Sequence, residues 1–447
     1  MILPVSSSSE KHPSIKDTVV IGGGLMGSSA AWHLSNQGEN VILIEQQDSN
    51  YTFGSSFGEA RIARSLGVKN DIFSYLHNRS VTETKKLVQF LNDKEGNDRH
   101  KMEDIYTTSP VTYIYYKSRE ETVHSLIENQ DDPIEYATSV EEASKKFGMS
   151  LPDSALVLRE FKQYSGTMNP KELIGKLHVG IQHHGNAVWY NQKITALRRN
   201  KDLFEIEMKH TKTGESKTIL CKKMVSAAGP YTGKLLNEIA PRFDQIITPK
   251  RVFLVFLKID PAKYERLSPD QKQKIKEFYP VLDFTSDLVF SMIEKIDGDG
   301  VPIIKIGGHL IRKDFTNLDT VWQKDLTKEE KNWGLQSTFN YLQQLNIPVG
   351  KADLNCLDGY SCVYSLTASE IPIVTNIVAD DSQPDPNLVV LGGMSGVGAK
   401  GAMTYGLIAA NLLLQKEEDS LMYQLTKKML RESGETSDTP ASWFINS

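Results

Sequence analysis

The sequence predicts an α/β protein in which a Rossmann-like, parallel-sheet nucleotide-binding domain shares the chain with a second α+β domain built on an antiparallel sheet. Three observations predict it. The β-branched run Thr18-Val19-Val20-Ile21 ends in Gly22-Gly23-Gly24-Leu25-Met26-Gly27, and a helical pattern follows at once. A second β-then-glycine turn, Leu388-Val389-Val390-Leu391-Gly392-Gly393, comes near the end of the chain. Between them, strand-like segments at 252–259, 288–293 and 302–306 are separated by a charged helix (269–277) and the turn Asp297-Gly298-Asp299-Gly300, which reads as an antiparallel layer.

The first turn has the spacing G-x-G-x-x-G. Gly22 allows the tight turn, Gly24 lets a pyrophosphate approach the backbone, and Gly27 lets helix and strand pack closely. Phosphates there meet a helix N-terminus, whose free N–H groups favour anions. Gly38 ends the helix, and the strand 41–44 leads into Glu45 and Gln46. Glu45 follows Gly27 by 18 residues, where an acid accepts hydrogen bonds from the ribose hydroxyls of an adenosine. Strand, helix and acid together favour an ADP moiety over a purely structural glycine turn. The next stretch, 46–58, is rich in Ser, Asn and Gly without helical period, and runs into Gly58-Glu59-Ala60-Arg61-Ile62-Ala63-Arg64. NAD-binding domains continue in regular alternation. The excursion suits a longer cofactor, FAD.

Farther along, the patterns predict a helix at 72–92, a charged loop at 92–100, a strand at 111–116 and helices at 119–129 and 140–147. A turn at Tyr164-Ser165-Gly166-Thr167 precedes a helix at 170–184, with Pro170 in its first turn. Short strands at 188–190, 193–198 and 203–208 form a meander. A buried strand ends in Met224-Val225-Ser226-Ala227-Ala228-Gly229-Pro230-Tyr231, whose small residues suit a ligand or tight packing equally. Met394-Ser395-Gly396-Val397-Gly398-Ala399-Lys400 opens an apolar helix at 401–414. The expected division is a tail at 1–14, a discontinuous nucleotide-binding domain at 15–98, 163–240 and 370–435, and a substrate domain at 99–162 and 241–369.

Composition excludes several classes. With 447 residues, 39% hydrophobic and 24% charged, and a net charge of −5, the chain has no basic excess for nucleic acid or anionic lipid. Three cysteines, Cys221, Cys356 and Cys362, make no disulfide framework, so a reducing, cytoplasmic setting is expected. The Ser-rich start lacks the pattern of a signal peptide, and 401–414 is too short for a bilayer. A monomer without a metal site is the expectation.

Taken together, the fingerprint at Gly22–Gly27, the run from Gly54 to Arg64, the Ala-Ala-Gly-Pro-Tyr element and the Gly-Met-Ser-Gly-Val-Gly-Ala-Lys turn resemble the glycine/D-amino-acid oxidase (DAO) superfamily. Within it the chain is most similar to monomeric sarcosine oxidase, N-methyltryptophan oxidase and pipecolate oxidase. Lys305-Ile306-Gly307-Gly308-His309 is similar to the family's K-x-G-x-H strand, whose lysine lies over the flavin and assists oxygen reduction. Ser361-Cys362-Val363-Tyr364 resembles the segment whose cysteine forms a thioether to the flavin, with Tyr364 beside the substrate. Lys400 and Arg64 match positions that grip a substrate carboxylate. The resemblance further implies FAD contacts at Leu25, Met26, Ser55, Ser56, Arg61, Ile194, Ala228, Gly229, Gly393, Met394, Gly396, Val397 and Gly398, and a catalytic place for His309. A lone lysine is most often a wet surface residue, and a free cysteine a small buried hydrophobe; the accompanying motifs set those readings aside. For Arg64 the plain alternative is an ion pair with Glu59.

The chain departs from sarcosine oxidase at Phe57, where that enzyme has His, and at Gly67, where it has an active-site Tyr. Phe290 and Ser291 fall near a second expected Tyr. The implied activity is oxidation of an amino or imino acid with O2 as acceptor, in a pocket roomier than a glycine derivative needs. A dehydrogenase serving a quinone or carrier protein, a non-catalytic flavin module and an NAD enzyme are the alternatives.

Overall fold

Continuous apolar runs form the strands covered on both faces. Val19, Val20, Ile21 and the whole of Val41–Ile44 are buried, as parallel strands flanked by helices require. The computed structural model describes residues 14–50, 53–66, 70–128, 133–286, 288–311, 313–315, 317–320, 326–379 and 383–432. The expected tail and Gly67 lie outside them, apart from Ser14. Among the described residues the strands form sheets of eight, nine and three.

In the eight-stranded sheet, Ile15–Ile21 lies parallel between Val41–Ile44 and Ser216–Ser226, and Ala187–Trp189 pairs parallel with Val41–Ile44. The last residues of Ser216–Ser226 also pair parallel with Leu388–Gly392. The meander is present: Gln192–Asn200, Leu203–His210 and Ser216–Ser226 are successive antiparallel strands. Ala187–Trp189, expected within the meander, belongs instead to the parallel edge. Helices Leu25–Asn36, Pro170–His183, Asn70–Glu95 and Ala402–Leu413 share one core on this sheet, with Trp32, Leu87, Leu177 and Ile408 buried in it.

Two helix histidines are buried in that region. The imidazole of His33 meets the Met403 carbonyl at 3.0 Å. The Ser28 hydroxyl donates to the Gly23 carbonyl at 2.8 Å, so its contact with Nε2 of His178 (2.8 Å) is one in which the imidazole donates, leaving Nδ1 to accept from Tyr190 (2.8 Å). Both histidines are therefore held neutral, and burial pushes each down to about 4. An unfolded chain takes up these protons near pH 6.5, before the folded one does. Stability is thus complete above about pH 6.5 and falls as pH drops toward 4, by about 3 kcal/mol per histidine at the limit. Urea titrations across this range, with His178→Phe as control, measure the slope; the variant should lose about half of it.

Strict alternation forms the second large sheet. In Pro302–Gly308, Ile304 and Ile306 enter a core shared with Val255 and Leu257, while Lys305 faces the other way. That core is covered by helix Lys328–Gln344, where Gly334 lies so close to Val255 that a Cβ would come within 2.7 Å. The helix was not expected; its exposed face carries mostly Asn and Gln, but Thr327 and Glu330 make a capping box at its start. Thr248–Ile259 pairs antiparallel with Pro302–Gly308 on one side and with Leu354–Leu366 on the other. The sheet is antiparallel except where Val281–Asp283 runs parallel to Val111–Tyr116. A small sheet joins Arg61–Ala63, Gly166–Met168 and Tyr106–Thr108. Among the described residues, no helix is long and apolar enough to cross a membrane.

Candidate active site

A cavity of about 670 Å³ runs between the two large sheets, and each end has its own chemistry. At one end lie Gly22, Gly24, Leu25 and Met26, at the start of helix Leu25–Asn36, with Glu45 and Gln46 beyond the second strand. Gly22 has φ +98°, and a Cβ there would sit 2.4 Å from the Ala227 carbonyl oxygen. Gly27 is tighter: its Cβ would fall 1.8 Å from the Gly22 oxygen. The Glu45 carboxylate accepts from Gly23 N–H (2.6 Å) and Gln47 N–H (2.8 Å). Burial pushes its carboxyl up, against those two donors. Ser55, Ser56, Ile194, Ala228 and Gly229 continue the wall.

The other end is built on the face of the antiparallel sheet that carries Lys305. Register places Lys305 beside Phe256, and Cys362 beside Val252, on strands flanking Thr248–Ile259. Lys305 is fully buried; its ammonium donates to the Glu294 carboxylate and to the Ala60 carbonyl. Burial, reinforced by the Arg61 cation, pushes it down to about 7. Burial raises the Cys362 thiol, while Arg61, Lys305 and Arg251 pull it the other way. Arg61 lines the cavity and fastens the preceding loop, donating to the carbonyls of Ser55 (3.0 Å) and Ala60 (2.8 Å) and to Tyr360 (3.2 Å). Phe57, where a histidine was the comparison, packs edge-on against Tyr360.

Two buried cations close this end. Arg64 follows strand Arg61–Ala63, donates to the Leu66 carbonyl and lies 5.8 Å from the Tyr113 ring. Lys400 lies in a 3₁₀ turn, Ala399–Gly401, and the α-helix begins only at Ala402. The expected helix N-terminus at Lys400 is thus a tighter turn, one step before the helix. Burial and the Arg64 charge push Lys400 well down, and Glu160 opposes them. Glu160 is buried behind both cations. It accepts from Ser65 N–H (2.9 Å), Leu66 N–H (3.1 Å), Tyr113 (2.6 Å) and the Ser65 and Ser165 hydroxyls (2.8 and 3.0 Å). Glu59 lies with Lys295 at 3.9 Å. His309 sits 3.5 Å from Glu370, with its ring 5.7 Å from that of Tyr364. Gly396 (φ +77°) passes beneath both rings, where a Cβ would lie 2.7 Å from Tyr364.

Arg64, Lys305, His309, Cys362, Tyr364 and Lys400 thus line one cavity, as do Met394, Gly396, Val397 and Gly398. Gly27 and Gly393 do not. Gly27 lies in the helix-to-turn contact, and Gly393 (φ +59°) turns the chain against Thr367. Ser291 is directed away from the cavity and donates to the Lys305 carbonyl at 2.9 Å, so Phe290 alone of that pair reaches the wall.

The family model described as FAD dependent oxidoreductase (DAO) matches residues 17–412. The chain belongs to this family. The oxidoreductase is 23% identical over 404 residues to a probable sarcosine oxidase of Arabidopsis thaliana, covering 90% of this chain and 88% of the relative. It is 23% identical to N-methyl-L-tryptophan oxidase of Yersinia pestis, covering 88% and 94%. Among solved structures it is similar in fold to NikD, an amino acid oxidase of nikkomycin biosynthesis (TM-score 0.68, 16% identity, 92% and 97% covered). L-proline dehydrogenase of P. horikoshii gives the same TM-score at 17% identity, covering 95% and 99%.

The residues present fit FAD. The glycine cradle has no room for a Cβ, the buried Glu45 acid stands at its edge, and the cavity continues from there to Lys305. Gly27→Val should give a protein that retains no flavin, measured as loss of the yellow absorbance after gel filtration. Sequence reading missed Glu294, Glu160 and the apolar wall of Leu254, Leu282, Leu288 and Met292. Glu294 continues the alternation of Phe290 and Met292, but nothing local marks it as the partner of Lys305. Glu160 ends a strand, Ala155–Glu160, that was not expected at all.

Proposed function

We propose that this protein is an FAD-dependent oxidase of an amino or imino acid, of the secondary-amine type (N-methyl or cyclic), with an apolar side chain. The observation that carries the reading is the placing of Arg64 and Lys400, two buried cations, in the cavity that also holds Lys305 and Cys362. Glu160 faces these two cations from behind, and toward the cavity an arginine fork with a lysine point charge matches a carboxylate. Leu282, Leu288, Phe290 and Met292 offer the side chain an apolar wall. The names of the relatives, which act on sarcosine and N-methyltryptophan, support the class.

In this mechanism Arg64 and Lys400 hold the carboxylate and fix the carbon bearing nitrogen, while the apolar wall excludes water. FAD, held by the glycine cradle and Glu45, would supply the acceptor for the hydride of that carbon; the imine left behind would hydrolyse, and dioxygen would take up the two electrons as hydrogen peroxide. Only a neutral amine releases the hydride. A free amine with pKa near ~10 resists deprotonation at neutral pH by roughly 4 kcal/mol. Desolvation and the cations Arg64 and Lys400 lower that pKa. Lys305 presents its charge where oxygen is reduced, His309 and Tyr364 border the substrate space, and Cys362 is the proposed point of flavin attachment.

The test is an anaerobic screen of N-methyl, cyclic and ordinary amino acids for bleaching of the flavin. A secondary amine with an apolar side chain should bleach it, and failure of every amino acid would remove the assignment. Acid precipitation of the same sample should give a yellow pellet if Cys362 carries the flavin; a white pellet refutes attachment.

A further inference from the structure

Lys305 is fully buried, and an ammonium in that position needs an anion to keep its proton. Arg61, from the small three-stranded sheet, works against it. Tyr360 and Cys362, from Leu354–Leu366, are both raised by burial and bring no negative charge at neutral pH. Phe256, from the strand between, is apolar. Glu59 lies with Lys295. The carboxylate facing Lys305 is Glu294, on the adjacent strand Val289–Ile296.

Glu294 does more than pair. It accepts from the N–H groups of Glu59 (2.7 Å) and Ala60 (3.1 Å), and the Ala60 carbonyl accepts from Lys305. Carboxylate, peptide and ammonium form a closed ring of hydrogen bonds that fixes the lysine in one direction. Gly58 leaves the space for it: a Cβ there would lie 3.0 Å from a Glu294 oxygen. Lys305 is on the cavity wall and Glu294 is behind it. A cofactor whose ADP part lies at Glu45 extends its ring toward this end.

We propose that Glu294 is a positioning residue that keeps Lys305 charged and aimed at the flavin ring without touching the ring itself. This rests on the reading that FAD occupies the cavity, but not on the identity of the substrate. Removing the anion leaves a buried amine beside Arg61, which gives up its proton. Glu294→Gln should therefore behave as a neutral-lysine enzyme near neutrality and regain the cation in acid. The change differs from Lys305→Met, which cannot be rescued by pH.

The experiment is a sulfite titration of the flavin-loaded protein, followed by bleaching of the flavin band, with each affinity expressed relative to Lys305→Met at the same pH. Sulfite leaves negative charge on the ring and senses the nearby cation. At about pH 6.5, where the wild-type lysine is mostly charged, Glu294→Gln should bind sulfite at least about tenfold more weakly than the wild type, close to Lys305→Met. Near pH 5 it should return to within about threefold of the wild type. The double variant Glu294→Gln, Lys305→Met should equal Lys305→Met at both. Wild-type affinity at about pH 6.5, or weakness that acid does not reverse, overturns the proposal. If the single variant does not retain flavin, the wild type decides. Its advantage over Lys305→Met must fall away as pH rises through about 7, and a flat ratio overturns the role. No amine enters the titration, so a wrong substrate assignment leaves this result unaffected.

Discussion

Lys305→Met should slow reoxidation of the substrate-reduced protein by dioxygen by between about tenfold and a thousandfold, while anaerobic reduction by substrate stays within about threefold. The first electron given to oxygen produces an anion, and a cation about 4 Å away at an effective dielectric near 20 stabilises it by up to about 4 kcal/mol. Lys305 is fully buried, so solvent screens this little. Glu294 stands behind the ammonium, which leaves the positive end toward the cavity but reduces the net field. The lower bound reflects that opposition. Stopped-flow mixing of reduced enzyme with oxygenated buffer measures the step directly. Unchanged reoxidation would move the protein to the dehydrogenase class, with electrons leaving to a quinone or a carrier protein.

The second large effect is expected at Arg64. Arg64→Met should lower kcat/KM for a carboxylate substrate by about thirtyfold to several thousandfold, since truncating one partner of a buried charged pair costs about 2–5 kcal/mol. The loss should be much smaller for the corresponding amide, which has no charge to pair. Lys400→Met should follow the same pattern, and the double variant should lose less than the product of the two, because both cations serve one carboxylate. Glu160 gives the control. It holds the Ser65–Leu66 backbone on which Arg64 is propped, so Glu160→Gln should raise KM for the acid while leaving flavin binding intact. Equal loss on acid and amide would show that Arg64 only supports the fold.

Much of this was legible in the sequence for a physical reason. Continuous apolar runs and glycine turns mark parallel strands and their crossings, so both glycine-rich turns and the strands that meet at Ser216–Ser226 could be read. The strand Leu354–Leu366 was harder. Asn355, Cys356, Leu357 and Asp358 are exposed near its beginning, which breaks the alternation, and only Ser361-Cys362-Val363-Tyr364 carried a signal. Ala155–Glu160 is buried throughout although it ends in Arg159 and Glu160, because Glu160 finds most of its partners (Ser65, Leu66 and Tyr113) on distant segments that no local pattern records. Helix Leu421–Glu432 was also not anticipated. The residues that set the charge of the site, Glu160 and Glu294, belong to this long-range class. Motifs point to the groups that touch a ligand; the carboxylates that hold those groups answer only to tertiary geometry.

The end of Ser216–Ser226 pairs on one side with Ile15–Ile21 and on the other with Leu388–Gly392. The floor of the nucleotide cradle is thus assembled from segments hundreds of residues apart in the sequence. During synthesis the amino-terminal fingerprint emerges hundreds of residues before the strand that flanks it, and contacts so distant in sequence close slowly. The parallel sheet is therefore complete only once Leu388–Gly392 has been made, and until then the strand end it covers is an open sheet edge of the kind chaperones shield.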